Sequence, residues 1–271
     1  MTAATSRTSA ESVTTGQAPL ISDRFLARLT VGVAILAAVT AALSFAGSKF
    51  GERIALAGHT ESTEEFDIFI GQDHLRLPAN VIRFEEQRQT AIAQRADLYL
   101  TWPEMQGYSD ATRMRFNDAG RPESLVFLQI SQSTMSRDMS GRVEPIYSHL
   151  FEGQARPGPA GLALHQLKES SGYGGETLLT GALADGSTYA VRCLLPQSDA
   201  LSTGADCQRD IHVGRDLSVL YRFSSRLLPH WQTMETAVRS YIDGRLVKSA
   251  PIDRATAVDK IPTNTETNGS S

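Results

Sequence analysis

The stretch "CQRDIHVGRDLSVLYRF", Cys207 to Phe223, decides the fold. Leu217, Val219, Tyr221 and Phe223 fall at every second position, which is the period of a strand with one buried face. Gly214-Arg215-Asp216 separates that run from "CQRDIHVG". Residues of this kind turn a chain sharply, so the two runs are predicted to be neighbouring strands.

The same texture extends upstream. "ETLLTGAL" and "STYAVRCLLP" flank Ala184-Asp185-Gly186, and Asp-Gly favours a tight hairpin turn. Ala96, Leu98, Leu100 and Trp102 alternate with Asp97, Tyr99 and Thr101 until Pro103 ends the run. Ser124 to Ser131 reads as another strand, and "FDIFIGQDHLRLP" as a hairpin around Gly71-Gln72-Asp73. The period changes in "GRVEPIYSHLFEG", where Val143, Ile146, Tyr147 and Leu150 are spaced as one helical face that Gly153 can close. "QARPGPAG" reads as a rigid loop and "LALHQLKES" as a short helix. A last helix carries Leu227, Trp231, Met234, Val238 and Tyr241 on one stripe, with Ser225 as its N-cap and Gly244 as its C-cap. The body therefore reads as one α+β domain of seven or eight strands, mainly antiparallel sheet with two or three packed helices.

One segment differs in kind. "LTVGVAILAAVTAALSFAGS", Leu29 to Ser48, holds no charged residue. About twenty helical residues cross the roughly 30 Å hydrocarbon core of a bilayer, so it is predicted to be a transmembrane helix. One rival reading is a cleaved signal peptide, with Val31 to Leu43 as its apolar region and Ser44-Phe45-Ala46 as its cleavage site, and the other is a buried core helix, apolar on all sides. Ala34, Ala38, Ala42 and Ala46 recur every fourth residue, a face on which two such helices could meet in lipid. Arg24 and Arg28 on one side balance Lys49 and Arg53 on the other, so flanking charge does not orient the span. The expected organisation is a disordered N-terminal tail (1–24), a transmembrane helix (25–48), a connector (49–64), the α+β domain (65–245) and a disordered C-terminal tail (246–271).

The chain of 271 residues has two cysteines, Cys193 and Cys207. Each lies where a strand meets the polar loop "LLPQSDALSTGAD". Neighbouring antiparallel strand ends bring Cα atoms to roughly 4.5–5.5 Å, which suits a disulfide. Thirteen intervening residues do not make a redox motif, and His212 alone does not complete a zinc site. Two free thiols remain the alternative. A disulfide implies an oxidising compartment, hence a periplasmic domain and a cytoplasmic N-terminus.

Chemistry-bearing patterns are few. The six histidines show no metal-ligand spacing, and no serine lies in G-x-S-x-G. We therefore assign no catalytic, cofactor-binding or metal residues, and a net charge of −4 gives nucleic acid no electrostatic handle. Trp102, Met105 and Tyr108 are a candidate partner contact beside a loop. Arg192, Arg209 and Arg222 with Asp210 could hold an anion, although charges paired across surface strands account for them more simply. "LRLPANVIRF", "ADLYLTWPEMQGYS" and "RDIHVGRDLSVLYRFSSRLLPHW", together with the single anchor, resemble uncharacterised single-pass membrane proteins of alphaproteobacteria. That resemblance implies a bacterial inner membrane and transfers no activity.

The leading expectation is a membrane-anchored, non-enzymatic envelope accessory or protein-interaction domain. Its partners would be the bilayer and another envelope protein, or a second copy through the transmembrane helix. One alternative is an extracytoplasmic ligand-binding sensor or hydrolase gathering His149 or His165 with a carboxylate. The other is a domain anchored on the cytosolic side.

Overall fold

A computed structural model describes residues 23–56 and 58–247, with backbone only at residues 23 and 45–56. The expected tails lie outside the described residues, except for positions 23, 24, 246 and 247. The chain divides into two compact units at residues 57 and 58.

The first unit is helix α1, Asp23–Leu56. It continues past Ser48 to Leu56, since "KFGERIAL" holds no proline and its single Gly51 weakens a helix without ending it. Its stretch Arg24–Ser44 is long and apolar enough to cross a membrane, with a mean hydropathy of 2.0 and no part of it buried. Thr30 and Thr40 bond back to the carbonyls of Leu26 and Leu36, which satisfies both threonine hydroxyls within the helix.

The second unit is α+β and mainly antiparallel, as the alternation predicted. Its strands are β1 (Glu65–Ile70), β2 (Asp73–Pro78), β3 (Ala91–Ile92), β4 (Arg95–Thr101), β5 (Leu125–Gln132), β6 (Phe151–Pro157), β7 (Ala163–Leu167), β8 (Thr177–Ala182), β9 (Thr188–Cys193), β10 (Cys207–Val213) and β11 (Leu217–Phe223). Helix α2 (Arg113–Asn117) is a single turn, and α3 (Trp231–Arg245) is the long one. The large sheet runs β4-β5-β11-β10-β9-β8-β7-β6, and a small sheet runs β2-β1-β3.

The large sheet is two four-stranded halves. Strands β10 and β11 pair over seven residues, and β8 and β9 over six. Between β9 and β10 the ladder holds only Cys207 to Cys193 and Gln208 to Arg192, and then the strands diverge. Alternation gives each half an inner face. Leu98, Leu128, Ile130, Val219, Tyr221, Ile211, Val191 and Leu179 lie on it, within one continuous buried core. Helix α3 closes this core with Trp231, Met234, Val238 and Ile242, one stripe at helical spacing.

The small sheet is locked on by two reciprocal aspartates. Asp216, after the β10–β11 turn, accepts from the Gln72 amide. Asp73, after the β1–β2 turn, accepts from the Arg215 and Asp216 amides. Gly71 and Gly214 sit at φ +57° and +67°, and a Cβ at either would stand 2.6–2.7 Å from the opposing carboxylate oxygen. Both positions therefore need glycine for backbone and for space.

Several local expectations are corrected. "LALHQLKES" is strand β7, because Leu164 pairs with Leu179 and His165 with Leu178 across β8. Tertiary pairing outweighs local helix propensity here. "QARPGPAG" begins within β6. "GRVEPIYSHLFEG" is not an α-helix but 3-10 turns at Ser140–Arg142 and Tyr147–Leu150, followed by β6. Pro145 has no N–H to donate and disfavours a helical Glu144. Gly153 lies in a bulge of β6 at φ +73°, not at a helix end. Ser224, not Ser225, caps the 3-10 segment that precedes α3, and Gly244 lies inside α3. Leu246 and Val247 are not tail: Leu246 bridges to Leu75, and the Val247 amide donates to the His74 carbonyl.

Candidate functional site

The seam between the half-sheets is held at one end by sulfur and beyond it by charge. Cys193 and Cys207 face each other in register and form a disulfide, with their Cα atoms 4.1 Å apart. Two residues further, Arg209 points inward where β9 has left the ladder. Its Nη1 donates to the Ala190 carbonyl of β9 at 2.8 Å and to Ser140 Oγ at 2.6 Å. Its Nε and Nη2 donate to Glu235 of α3 at 2.9 and 3.0 Å. The guanidinium thus takes the place of missing ladder bonds and ties four segments together.

Both partners of that pair are almost fully buried, at 1% and 3% side-chain exposure. The Tyr221 hydroxyl and Arg239 Nε also donate to Glu235, at 2.7 and 2.8 Å. Burial alone would raise the Glu235 carboxyl, but the bonds from Arg209 and Tyr221 outweigh it and hold the group below its ordinary value. Burial pushes the Tyr221 and Tyr189 hydroxyls well above theirs. With four hydrogen bonds donated to it, the Glu235 carboxylate is a fully paired buried charge, and removing one partner would leave it uncompensated.

The outer faces of the two halves differ. Over β7-β8-β9, the 139–151 segment lays Met139, Tyr147, Leu150 and Phe151 against Leu167, Leu178 and Ala190, forming a second apolar cluster. Over β4-β5-β11-β10 the described residues form no such apolar cluster. Its β4 corner is closed where Tyr99 bonds His59 Nδ1 at 2.7 Å and packs against Phe116, and its β10 edge where Arg142 pairs with Asp210 and Ser133 lies against His212. Burial, and then the charges of Arg88 and Arg83, lower the His59 pKa and keep that ring neutral. Between that corner and that edge, over β4, β5 and β11, lies a shallow depression open to solvent. It is lined by Arg83, Asp97, Phe127, Gln129, Leu220 and Arg222.

The structure does not bring the other singled-out residues together as a site. Trp102 and Tyr108 are core side chains, 8% and 3% exposed, and Met105 packs partly buried against the same core. This corrects the expectation of an exposed contact patch: Trp102 shares the inward face of β4, and Tyr108 stacks on His59 at 4.6 Å. Arg209 points inward, Arg192 pairs with Glu176 under the Tyr173 ring, and Arg222 lies on the open face. The three arginines therefore make no common anion site. His165 bonds Thr180 and stacks on Phe151, and among the described residues no carboxylate bonds its ring or that of His149. The Ser133 hydroxyl lies 2.9 Å from His212 Nε2, but the Met135 carbonyl, at 2.8 Å, takes its proton. Among the described residues no carboxylate bonds the His212 ring, so no serine–histidine–acid triad is assembled there. Among the described residues no three His, Cys, Asp or Glu side chains gather as a metal ion would need. Ala34, Ala38 and Ala42 lie on one exposed face of α1, and the side chain of Ala46 falls outside the described residues.

No family model matches the chain, and no curated protein matches it. Among solved structures it is similar to an immunity protein of the Stenotrophomonas maltophilia type IV secretion system. The identity is 19% and the TM-score 0.48, over 70% of this chain and 96% of that one. A likeness at that level carries no functional weight, so function is read from this chain's own residues.

Proposed function

We propose that the chain is a membrane-anchored, non-enzymatic protein-interaction domain of a bacterial cell envelope, with a cytoplasmic N-terminus and a periplasmic sheet domain. The Arg24–Ser44 stretch supports the anchor by length and composition. The disulfide supports an oxidising compartment.

One observation carries the interaction role. Among the described residues, the middle of this half's outer face (β4-β5-β11-β10) carries no apolar layer, with half-buried Phe127 and Leu220 set between arginines. The neighbouring half of the same sheet covers its outer face with its own chain. Apolar side chains rimmed by polar groups are the usual anatomy of a protein contact.

Two experiments test this reading. A C-terminal alkaline phosphatase fusion should be active and a cytosolic reporter fusion silent; the reverse pattern contradicts the orientation. Gentle detergent extraction of the full chain should give a complex larger than the monomer. A monomer alone at every detergent strength contradicts the interaction role.

A further inference from the structure

We infer that the open face of β4-β5-β11-β10 docks a protein segment that places a carboxylate beside an apolar side chain, an inference that rests on the interaction role proposed above. Phe127 is the centre of the face. Arg222 is its cross-strand partner on β11, and the Arg83 guanidinium carbon lies 5.3 Å from its ring centroid. Neither arginine has a carboxylate within ion-pair distance among the described residues. Asp97, the acid on the same face, is already engaged by Arg95 at 3.0 Å and by the Gln87 amide at 2.8 Å. It does not compete for the two guanidinium groups.

The chemistry of the occupant follows from that arrangement. Two planar guanidinium groups beside one ring favour carboxylate oxygens, which accept their parallel N–H groups. Half-buried Phe127 and Leu220 favour an apolar side chain between those charges. Gln129 pairs across strands with both Leu220 and Asp97, and it adds an amide that can donate and accept along a peptide backbone. Anionic lipid fits less well, since surfaces that read lipid headgroups gather about four to eight cations and this face has two unpaired ones. A second copy meeting face to face would set arginine against arginine.

The test uses the full chain in its own membrane, with a benzophenone amino acid at Gln129 and, separately, at exposed Gln232 on α3. The Gln129 probe should crosslink to a polypeptide whose joined peptide carries Asp or Glu next to an apolar residue. Arg83→Gln with Arg222→Gln should lower that yield at least about tenfold, whereas Arg83→Lys with Arg222→Lys should lower it less. Unchanged melting of both double variants shows that the fold is intact. A Gln129 crosslink to lipid, to a second copy or to a segment without acid overturns the inference, as does a yield indifferent to the Gln pair. A specific crosslink at Gln232 with none at Gln129 overturns it too, but leaves the general interaction role standing. No crosslink at either site contradicts both.

Discussion

The two halves of the large sheet are built on the same antiparallel ladder and share one core, yet their outer faces are finished differently. Over β7-β8-β9 the chain folds back on itself and buries Met139 and Tyr147 against Leu167, Leu178 and Ala190. Over β4-β5-β11-β10 the described residues supply no equivalent layer, and Phe127 and Leu220 stay partly exposed among charged groups. A covered face contributes to stability. An uncovered face with apolar groups at its centre is free to contribute to binding. The seam between the halves must hold for either to matter, and it is fixed where the ladder stops.

The largest effect should come from breaking the charge at the seam. Arg209→Ala leaves Glu235 buried without its main partner, and should cost about 3–5 kcal/mol in denaturant unfolding. The same pair gives a pH test. The folded Glu235 carboxyl is held below its ordinary value of 4.5, so its contribution is complete above that value and is lost as pH falls through the lower, folded one. Glu235→Gln should therefore be less stable at neutral pH and show a flatter acid limb in melting against pH. Equal acid limbs would place the acid sensitivity elsewhere.

Removing the sulfur clasp comes next. Cys193→Ser with Cys207→Ser opens a short loop and should cost about 3 kcal/mol on the chain-entropy model, read by the same unfolding curves. The covered face follows, with Met139→Ala expected to cost about 2 kcal/mol for a small peripheral cluster. The open face should respond least. Leu220→Ala and Arg222→Gln should each change stability by no more than about 0.5 kcal/mol while weakening partner capture. If Leu220→Ala destabilised as much as Met139→Ala, the distinction between the two faces would collapse.

Alternation made the sheet legible. Every strand with a clean period of two was found, and the turn residues at Gly71, Gly186 and Gly214 marked the hairpins. Strands β6 and β7 were missed because "QARPGPAG" and "LALHQLKES" carry no alternation strong enough to override their proline and helix-forming residues. Their pairing is decided by β8. Tyr147 and Leu150 were seen as one apolar set, but Pro145 prevents the helix that their spacing suggests. The disulfide was readable because both cysteines end strands. Arg209 left a signal too: it occupies the inward phase of Cys207, Ile211 and Val213, where a lone cation needs a buried acid. The identity of that acid, on a helix 26 residues away, was not readable. The open face was hidden for a different reason, since which side of a sheet lacks cover depends on where loops from elsewhere settle.

Hydroxyl-radical footprinting of the full chain, in native membranes and after purification, tests the difference between the two faces most directly. The account expects Phe127 and Leu220 to be labelled in the purified protein and protected in the membrane, with Tyr147 protected in both. Equal labelling of Phe127 and Leu220 in the two preparations, or strong labelling of Tyr147 in the folded protein, would contradict it.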